Sequence, residues 1–490
     1  MKKMISLLLT AAMLLSLCAF AHAEEPVEIR IAVNTLGNGW PADPADDFVY
    51  QKILKDIGVS VKFDLVDNFY ESMGTRMDVY DMYRIDVDHL ISWGRQDLLL
   101  DLAPYKDKEL AGYFDWLGAT QLNAAYVDGT LYGLPQLYDG SKSQLNVTVR
   151  QDWLDKLGLK MPETVQDLYD VAYAFTFSDP DGNGQQDTLG LTAQKPGNGG
   201  IFLFDTIMGS YDTALGNYIL IRDGKVTNAL LQPGMLEGLK WCKKFVDAKI
   251  VDNDALTTTG TDKFIAGQVG MNAVTWPGIW KQYGQDKIHA VNPDAVTSFF
   301  TTLKSEVGAE DAMFTGDLST TNVIMAINAD ISEEKLQAVF KYIDYIISDE
   351  GSDLIFYGIE GDHWVRDENG NVKMTENATA ANYISTYQIF SRKELEYLKV
   401  KFPEAQQVFE ATTAANRIEI YNTLVLEPEE IYLEDMESYV RQQLLAFIYG
   451  ERELTQEEYD KFIGELNDNF QFDVYMEAAH DQLAAYGLVD

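Results

Sequence analysis

The 490-residue chain has little cysteine, little histidine and a shortage of base. Its two cysteines, Cys18 and Cys242, cannot build a disulfide framework. Cys242 stands alone in the helical stretch MLEGLKWCKKFVDAK, where a buried, inert thiol is expected. His89, His289, His363 and His480 are scattered without metal-ligand spacing, which argues against a histidine-based zinc site. Lysine and arginine number 38 against 77 acids, a formal charge of −39, and so acidic a surface repels nucleic acid and anionic membranes. The same charge weighs against strongly anionic ligands unless a local basic pocket overrides it. No run beyond Phe20 is apolar enough to span a bilayer. A G-x-S-x-G elbow, an H-E-x-x-H pair and a phosphate loop ending in Lys-Ser or Lys-Thr are all missing, so no familiar catalytic motif is present.

At the start, MKK precedes an apolar run from Met4 to Phe20 that ends in Ala21-His22-Ala23. This reads as a secretory signal over residues 1–23, cleaved after Ala23, which sends the chain across the cytoplasmic membrane to the cell surface or periplasm. Cys18 raises a lipid anchor as the alternative, but Leu17 stands where a small residue is expected before it, and simple cleavage is preferred. The remaining length suits two or three domains.

Val27 to Val33 alternates and is β-branched, which predicts the first strand. Asp46 to Ile57 predicts a helix capped by Asp46 and ended by Gly58, and Val59 to Val66 a second strand. Strand, helix, strand at this spacing argues an α/β layer with a largely parallel sheet. Gly37-Asn38-Gly39-Trp40-Pro41-Ala42 formally matches G-x-G-x-x-A. Pro41 and Pro44 break the helix start that would present amides to a pyrophosphate, so dinucleotide binding is rejected. A loop carrying an exposed Trp40 at a strand's carboxyl end remains. Further strands are expected at Leu145 to Arg150, Val269 to Val274 and Asn322 to Ile327, and a helix at Ser332 to Ile347. Beyond about Ala380 the chain reads as helical to its end, interrupted at Pro403 and Pro428.

The stretch DPDGNGQQDTLG places oxygen side chains at Asp179, Asp181, Asn183 and Asp187, with Gly182 and Gly184 letting the backbone curl. These are the first nine positions of an EF-hand-like calcium loop, with the Gln185 carbonyl as a further ligand. Position twelve is Gly190, so the bidentate glutamate is missing, and Thr188, another residue or water must close the shell. An isolated loop offers no neighbouring nucleophile, so a structural ion is expected. The plainer alternative is a surface turn that binds nothing.

DGTLYGLP, VRQDWLDKLGLKMPETVQDLYDVAYAF with its calcium loop, RDGKVTNALLQPGMLEGLKWCKKFVDAKIVDND, KFIAGQVGM and YIISDEGSDLIFYGIEGDHW occur in this order. In these blocks the chain resembles the extracellular solute-binding proteins of carbohydrate ABC importers, in the large lipoprotein-like branch that includes alginate-oligosaccharide binders. The resemblance implies a class II periplasmic-binding-protein fold, two α/β lobes around a ligand cleft with a helical C-terminal region, closing by hinge motion. Lobe 1 would comprise residues 24–140 and 318–378. Lobe 2 would comprise 141–317 and 379–490 and carry the calcium loop, 179–190, away from the cleft. Crossings are expected near 137–144, 314–320 and 375–381. It also implies an oligosaccharide ligand, ABC permease subunits as partners and a monomeric chain. One departure is FYESMGTRMDVYDMYRIDVDHLI, which lacks the family's Gly-Asp-x-Pro-Asp turn.

Sugars present hydroxyl edges and apolar faces, so their sites combine aromatic platforms with planar polar groups. Trp153 and Trp241 lie on amphipathic helices and are assigned to packing, and Trp116 with them. Trp276 and Trp280 bracket Pro277-Gly278 directly after a strand, where the resemblance implies a cleft-facing Trp. Trp364 follows Gly361-Asp362-His363 in a segment similar to a cleft loop of the family. Trp40 and Tyr138 complete the candidate platforms, and Asp139, Asp362 and His363 are candidate hydroxyl partners. Solvated loop polarity explains those three equally well. The rival readings are a secreted, calcium-braced carbohydrate-active enzyme, which needs two carboxylates facing across a sugar, and a binding partner of a membrane sensor.

Overall fold

The computed structural model describes residues 25–490 except 75, 118–124, 137, 140–144, 195–201, 258, 306–311, 318–322, 391 and 429–430. The expected signal segment and Cys18 therefore lie outside the described residues. Two sheets organise the chain. The first has the strand order Val59–Leu65, Val27–Val33, Met82–Ile85, Ile324–Ile327, Gly133–Pro135. Val27–Val33 is parallel to both of its neighbours, and Ile324–Ile327 runs against both of its own. Gly133–Pro135 thus points the same way as the first three strands.

Alternation explains the first strand: Ile29, Ile31 and Val33 are fully buried in one core with Ile53, Val61, Val339 and Ile343. The helix Phe48–Ile57 connects the first two strands and is capped by Asp47, not Asp46; the Asp47 carboxylate accepts the Tyr50 N–H at 2.9 Å. Pro44 holds residues 44–46 in a separate 3₁₀ turn, which moves the cap on by one. Gly58 ends the helix as expected, at φ 68. Ser332 caps Glu333–Ile347 by accepting from Lys335 N–H.

The second sheet has the order Thr297–Phe300, Leu145–Arg150, Val269–Thr275, Leu189–Ala193. Its last two strands are parallel, and Leu145–Arg150 runs against Val269–Thr275 with Leu145 opposite Thr275. All six residues of Leu145–Arg150 are buried, as befits a strand covered on both faces. Trp153, Phe175, Leu239 and Cys242 fill this core together with Leu444, Phe447, Phe462 and Tyr475 from the helices Leu433–Tyr449, Gln456–Phe470 and Phe472–Ala485. Trp153 and Cys242 are therefore the packing residues expected.

The C-terminal region departs from all-helix in two places. Asn416–Ile420 is a strand parallel to Ala312–Asp317, and Arg392–Lys393 pairs in parallel with Tyr138–Asp139. The alternation of Arg417, Ile418, Glu419 and Ile420 carried that signal. Tyr383, Ile384, Tyr387, Ile389 and Phe390 pack into the core of the first sheet, whereas Leu398, Val408 and Phe409 pack with Trp276 beside the second. Residues 383–390 thus pack with the first core, beyond the bound at 378 expected for lobe 1. Arg417 is buried, and its guanidinium donates to the carbonyls of Thr301, Thr412 and Leu145, the last being the first residue of the second sheet after the chain leaves the first.

Candidate functional site

The acidic loop hangs from a rigid support. Helix Val165–Phe177 begins with a reciprocal cap, the Thr164 hydroxyl accepting from Asp167 N–H and the Asp167 carboxylate from Thr164 N–H. Below it the Asp179 carboxylate accepts the amides of Gly182 and Gly184 at 3.0 and 3.1 Å. Both glycines have positive φ, 78 and 79, which the curl requires. The Asn183 Nδ2 donates to Asp181 at 2.8 Å and to both Asp187 oxygens at 3.1–3.2 Å, and Asn183 Oδ1 accepts from Gln185 N–H. An amide N–H thus does the screening that a cation would do between two carboxylates. Partial burial pushes the Asp181 carboxyl above the usual range, and the Asp179 and Asp187 charges add to it. Hard, mutually repelling oxygens along a tight loop fit calcium chemistry. Among the described residues, no group of three or more His, Cys, Asp or Glu side chains converges to metal-site geometry.

Gly190 now has a physical reason. A Cβ there would lie 2.4 Å from the Ala172 carbonyl oxygen and 2.6 Å from its Cα. The loop runs directly into the strand Leu189–Ala193, pressed against helix Val165–Phe177, so a twelfth-position glutamate has no room. Thr188 is turned the same way: it is buried and its hydroxyl donates to the Phe175 carbonyl at 2.7 Å.

The sheets define a second site. The chain leaves the first sheet at the carboxyl end of Gly133–Pro135 and enters the second at Leu145, opposite the carboxyl end of Val269–Thr275. Both carboxyl edges therefore border the crossing, the position where open α/β sheets bind ligands. On the first edge lies a pocket of about 380 Å³ lined by Asn38, Arg84, Gln136, Ser385, Thr386 and Gln388 among others. Its rim depends on Gly37, which donates its N–H to the Thr386 hydroxyl. A Cβ at Gly37 would come within 2.5 Å of the Tyr383 carbonyl oxygen. A wider groove of about 550 Å³ runs between helix Val87–Gly94 and residues 426–428 and 431–432, with Asp88, Arg95, Glu427 and the 77 % exposed Tyr432 on its walls. Burial, with Asp86 and Glu427 adding like charge, raises the Asp88 carboxyl above its ordinary range.

The expected sugar contacts divide. Trp40 is half-buried, stacked on Tyr387 at 5.7 Å and edge-on to Phe63 and Tyr383. Those tyrosines donate to the Asp47 carboxylate, at 2.7 Å from Tyr387. Tyr138 and Asp139 lie on the crossing strand paired with Arg392–Lys393. Trp280 is half-buried, its indole N–H donating to Thr148 at 2.9 Å. Trp276 stands at the expected strand end but begins a short helix, Trp276–Trp280, and is only 2 % exposed under Phe402 and Phe409. Trp364 is equally covered, its indole N–H donating to Gly358. His363 is buried against Phe48, and its Nδ1 accepts the Ile359 N–H at 3.0 Å. Burial lowers its pKa, which suits a neutral, structural imidazole. Asp362 accepts from Asn377 at 2.8 Å. Trp276, Trp364 and His363 therefore present no open face in this structure: Phe402 and Phe409 cover Trp276 and Phe48 covers His363 from far away in sequence, whereas Trp364 packs on the nearby Tyr357 with Arg366 over its ring. Arg84, Gln136 and Gln388 were missed. An arginine in the otherwise buried MYRI strand of so acidic a chain was the one available signal.

No family model matches the chain. It is 27 % identical over 252 residues to a polygalacturonan/rhamnogalacturonan-binding protein, YtcQ, of Bacillus subtilis, covering 50 % of this chain and 47 % of that one. It is 29 % identical over 237 residues to the fructooligosaccharide ABC transporter substrate-binding protein FusA of Streptococcus pneumoniae, covering 44 % and 43 %. The matches thus span about half the length of these curated relatives. Among solved structures, the alginate-binding protein AlgQ2 without calcium ion superposes with TM-score 0.67 at 16 % identity over 93 % of this chain and 98 % of its own. A human-milk-oligosaccharide (HMO)-binding, ABC-transporter-associated solute-binding protein of Bifidobacterium longum infantis gives 0.70 at 16 %, over 94 % and 99 %. An EF-hand mutant of FusA with fructo-nystose gives 0.65 at 20 %, over 94 % and 99 %. These likenesses show the fold: it is the two-lobe α/β fold of solute-binding proteins. The relatives are binding proteins, and among the described residues no helix is long and apolar enough to cross a membrane.

Proposed function

We propose that this chain is the extracytoplasmic substrate-binding protein of a carbohydrate ABC transporter, which takes an oligosaccharide into the cleft between two lobes and delivers it to membrane permeases. The observation that carries the reading is the topology, in which both sheets turn their carboxyl edges toward the crossings. The half-length likeness to oligosaccharide binders supports it. Lobe 1 is 24–140 with 318–390, and lobe 2 is 141–317 with 391–490. Residues 1–23 act as the secretory signal, and the mature protein works as a monomer without catalytic groups.

Closure supplies affinity: sugar contacts made on both walls favour the closed state over the open one by their difference in free energy. Trp40, Tyr138, Asp139 and Trp280 are the proposed wall residues, joined by Arg84 and Gln136. Calcium is held by Asp179, Asp181, Asn183 Oδ1, the Gln185 carbonyl and Asp187. There it neutralises the loop and braces helix Val165–Phe177 against strand Leu189–Ala193, away from the sugar. A thermal-shift screen of the mature chain against an oligosaccharide panel, with chromatography after long incubation, tests the reading. One sugar class should raise Tm without turnover. Consumption of the sugar, or no shift with any sugar, overturns it.

A further inference from the structure

Three half-buried lysines, Lys52, Lys263 and Lys335, each pair with an aspartate. Lys281 is half-buried too, but its surroundings are aromatic. Its Nζ lies 4.4 Å from the centroid of the Phe402 ring and 5.7 Å from that of Trp276. Among the described residues it makes no hydrogen bond and no ion pair. The local chain course builds this box. Lys281 stands in extended backbone, at φ −67 and ψ 149, between the short helices Trp276–Trp280 and Gln282–Val291. Phe402 reaches it from far along the chain, and Glu404 follows, its carboxylate accepting the Gln282 N–H at 3.3 Å.

Ring faces attract an ammonium but offer no acceptor for its three N–H donors. Burial therefore holds the Lys281 pKa below the ordinary lysine value, and the Glu404 charge, pulling the other way, does not restore it. At Lys52 and Lys263 burial acts in the same direction, but their carboxylate partners overcome it and raise the pKa. The neutral amine is the nucleophilic form, and a lysine desolvated among apolar groups is a recognised way to obtain it. Half-burial leaves the amine within reach of a small reagent.

We propose that Lys281 is a covalent modification site, at which a small aldehyde condenses with the ε-amine boxed by Phe402 and Trp276 to form an imine. The nitrogen lone pair adds to the carbonyl carbon, and the C=O π pair moves to oxygen. Both amine protons then leave with that oxygen as water, and the C=N bond remains. The step consumes no oxidant or reductant. It needs no sugar in the cleft and stands apart from the receptor reading.

The test incubates the full mature chain with glycolaldehyde across a range of pH, with cyanoborohydride reducing each imine to a secondary amine. Peptide mass spectrometry follows every lysine separately. At neutral pH, Lys281 should be labelled about fivefold or more faster than the exposed Lys225 and Lys341, since each unit of pKa is tenfold in free amine. Its rate should also reach a plateau at lower pH than theirs. Lys281→Arg keeps a cation over the rings and should abolish the fast site. Glu404→Gln removes the nearby charge and should move the Lys281 profile to still lower pH. Circular dichroism checks that both variants are folded, and the wild-type rates decide the matter without them. Labelling of Lys281 no faster than of Lys225 and Lys341 overturns the proposal, as does a pH profile that coincides with theirs. Fast labelling that persists in Lys281→Arg places the reactive amine elsewhere and overturns it too.

Discussion

Adding one methyl group at Gly190 tests the reason given for the incomplete calcium loop. In Gly190→Ala the new Cβ would meet three Ala172 atoms at 2.4–2.6 Å: the carbonyl oxygen, Cα and Cβ. None of these is the far end of a flexible side chain. Ala172 lies mid-helix in Val165–Phe177, fixed at its start by the Thr164–Asp167 cap. The strand cannot retreat either, since Leu189 and Leu191 pair with Val269 and Met271 in the parallel ladder. Overpacking in a well-packed core costs about 1–3 kcal/mol, and with backbone on both sides the upper end applies. For a lobe of about 280 residues, ~3 kcal/mol lowers Tm by roughly 5 °C. Calorimetric melts in excess calcium and in chelator measure it. The drop should be the same in both, because the contact is between helix and strand, not with the ion. Gly190→Glu should fall at least as far and gain no calcium affinity. A Gly190→Ala melt within a degree of wild type, or tighter calcium in Gly190→Glu, would refute the close approach.

Asp181→Ala should abolish the calcium-dependent rise in Tm, which for an ion at a thousand times its Kd is worth about 4 kcal/mol. Oligosaccharide affinity should stay within about twofold, and a collapse of affinity in the folded variant would refute the brace. Asp205 is buried with Oδ1 unpartnered, and burial lifts its carboxyl to about 8 against the pull of the Leu215 N–H. The folded chain keeps a proton that the unfolded chain releases above about pH 4. This residue's contribution is therefore complete below that pH and lost as pH rises toward 8. Asp205→Asn should flatten the pH 5–8 fall in urea midpoint, and parallel slopes in variant and wild type would refute it. Trp364→Ala should cost about 3–5 kcal/mol of stability, read by urea unfolding. A large change in sugar affinity without that loss would return Trp364 to the cleft.

Most of the first-sheet strands were legible because each carries its own pattern: Val27–Val33 alternates and Gly58 stops a helix without reference to anything distant. The acidic loop at 179–190 was legible for the same reason, its oxygen side chains alternating within one short stretch. What escaped depended on partners far away in sequence. Trp276 looks like a platform until Phe402 and Phe409 are seen to cover it. Gln136 looks like an ordinary loop amide until the Gln388 carbonyl, 252 positions on, fixes its orientation. The strand Asn416–Ile420 pairs with a segment a hundred residues earlier. Burial between remote segments is a tertiary fact, and local periodicity does not encode it.

The guanidinium of Arg417 has a mechanical meaning. It fastens the Leu145 carbonyl to those of Thr301 and Thr412, so the chain arrives in the second lobe at a clamped end and not a free one. A strip clamped at its end twists along its free length and leaves the anchorage still. A load on that end is therefore shared at once with the segments that carry Thr301 and Thr412.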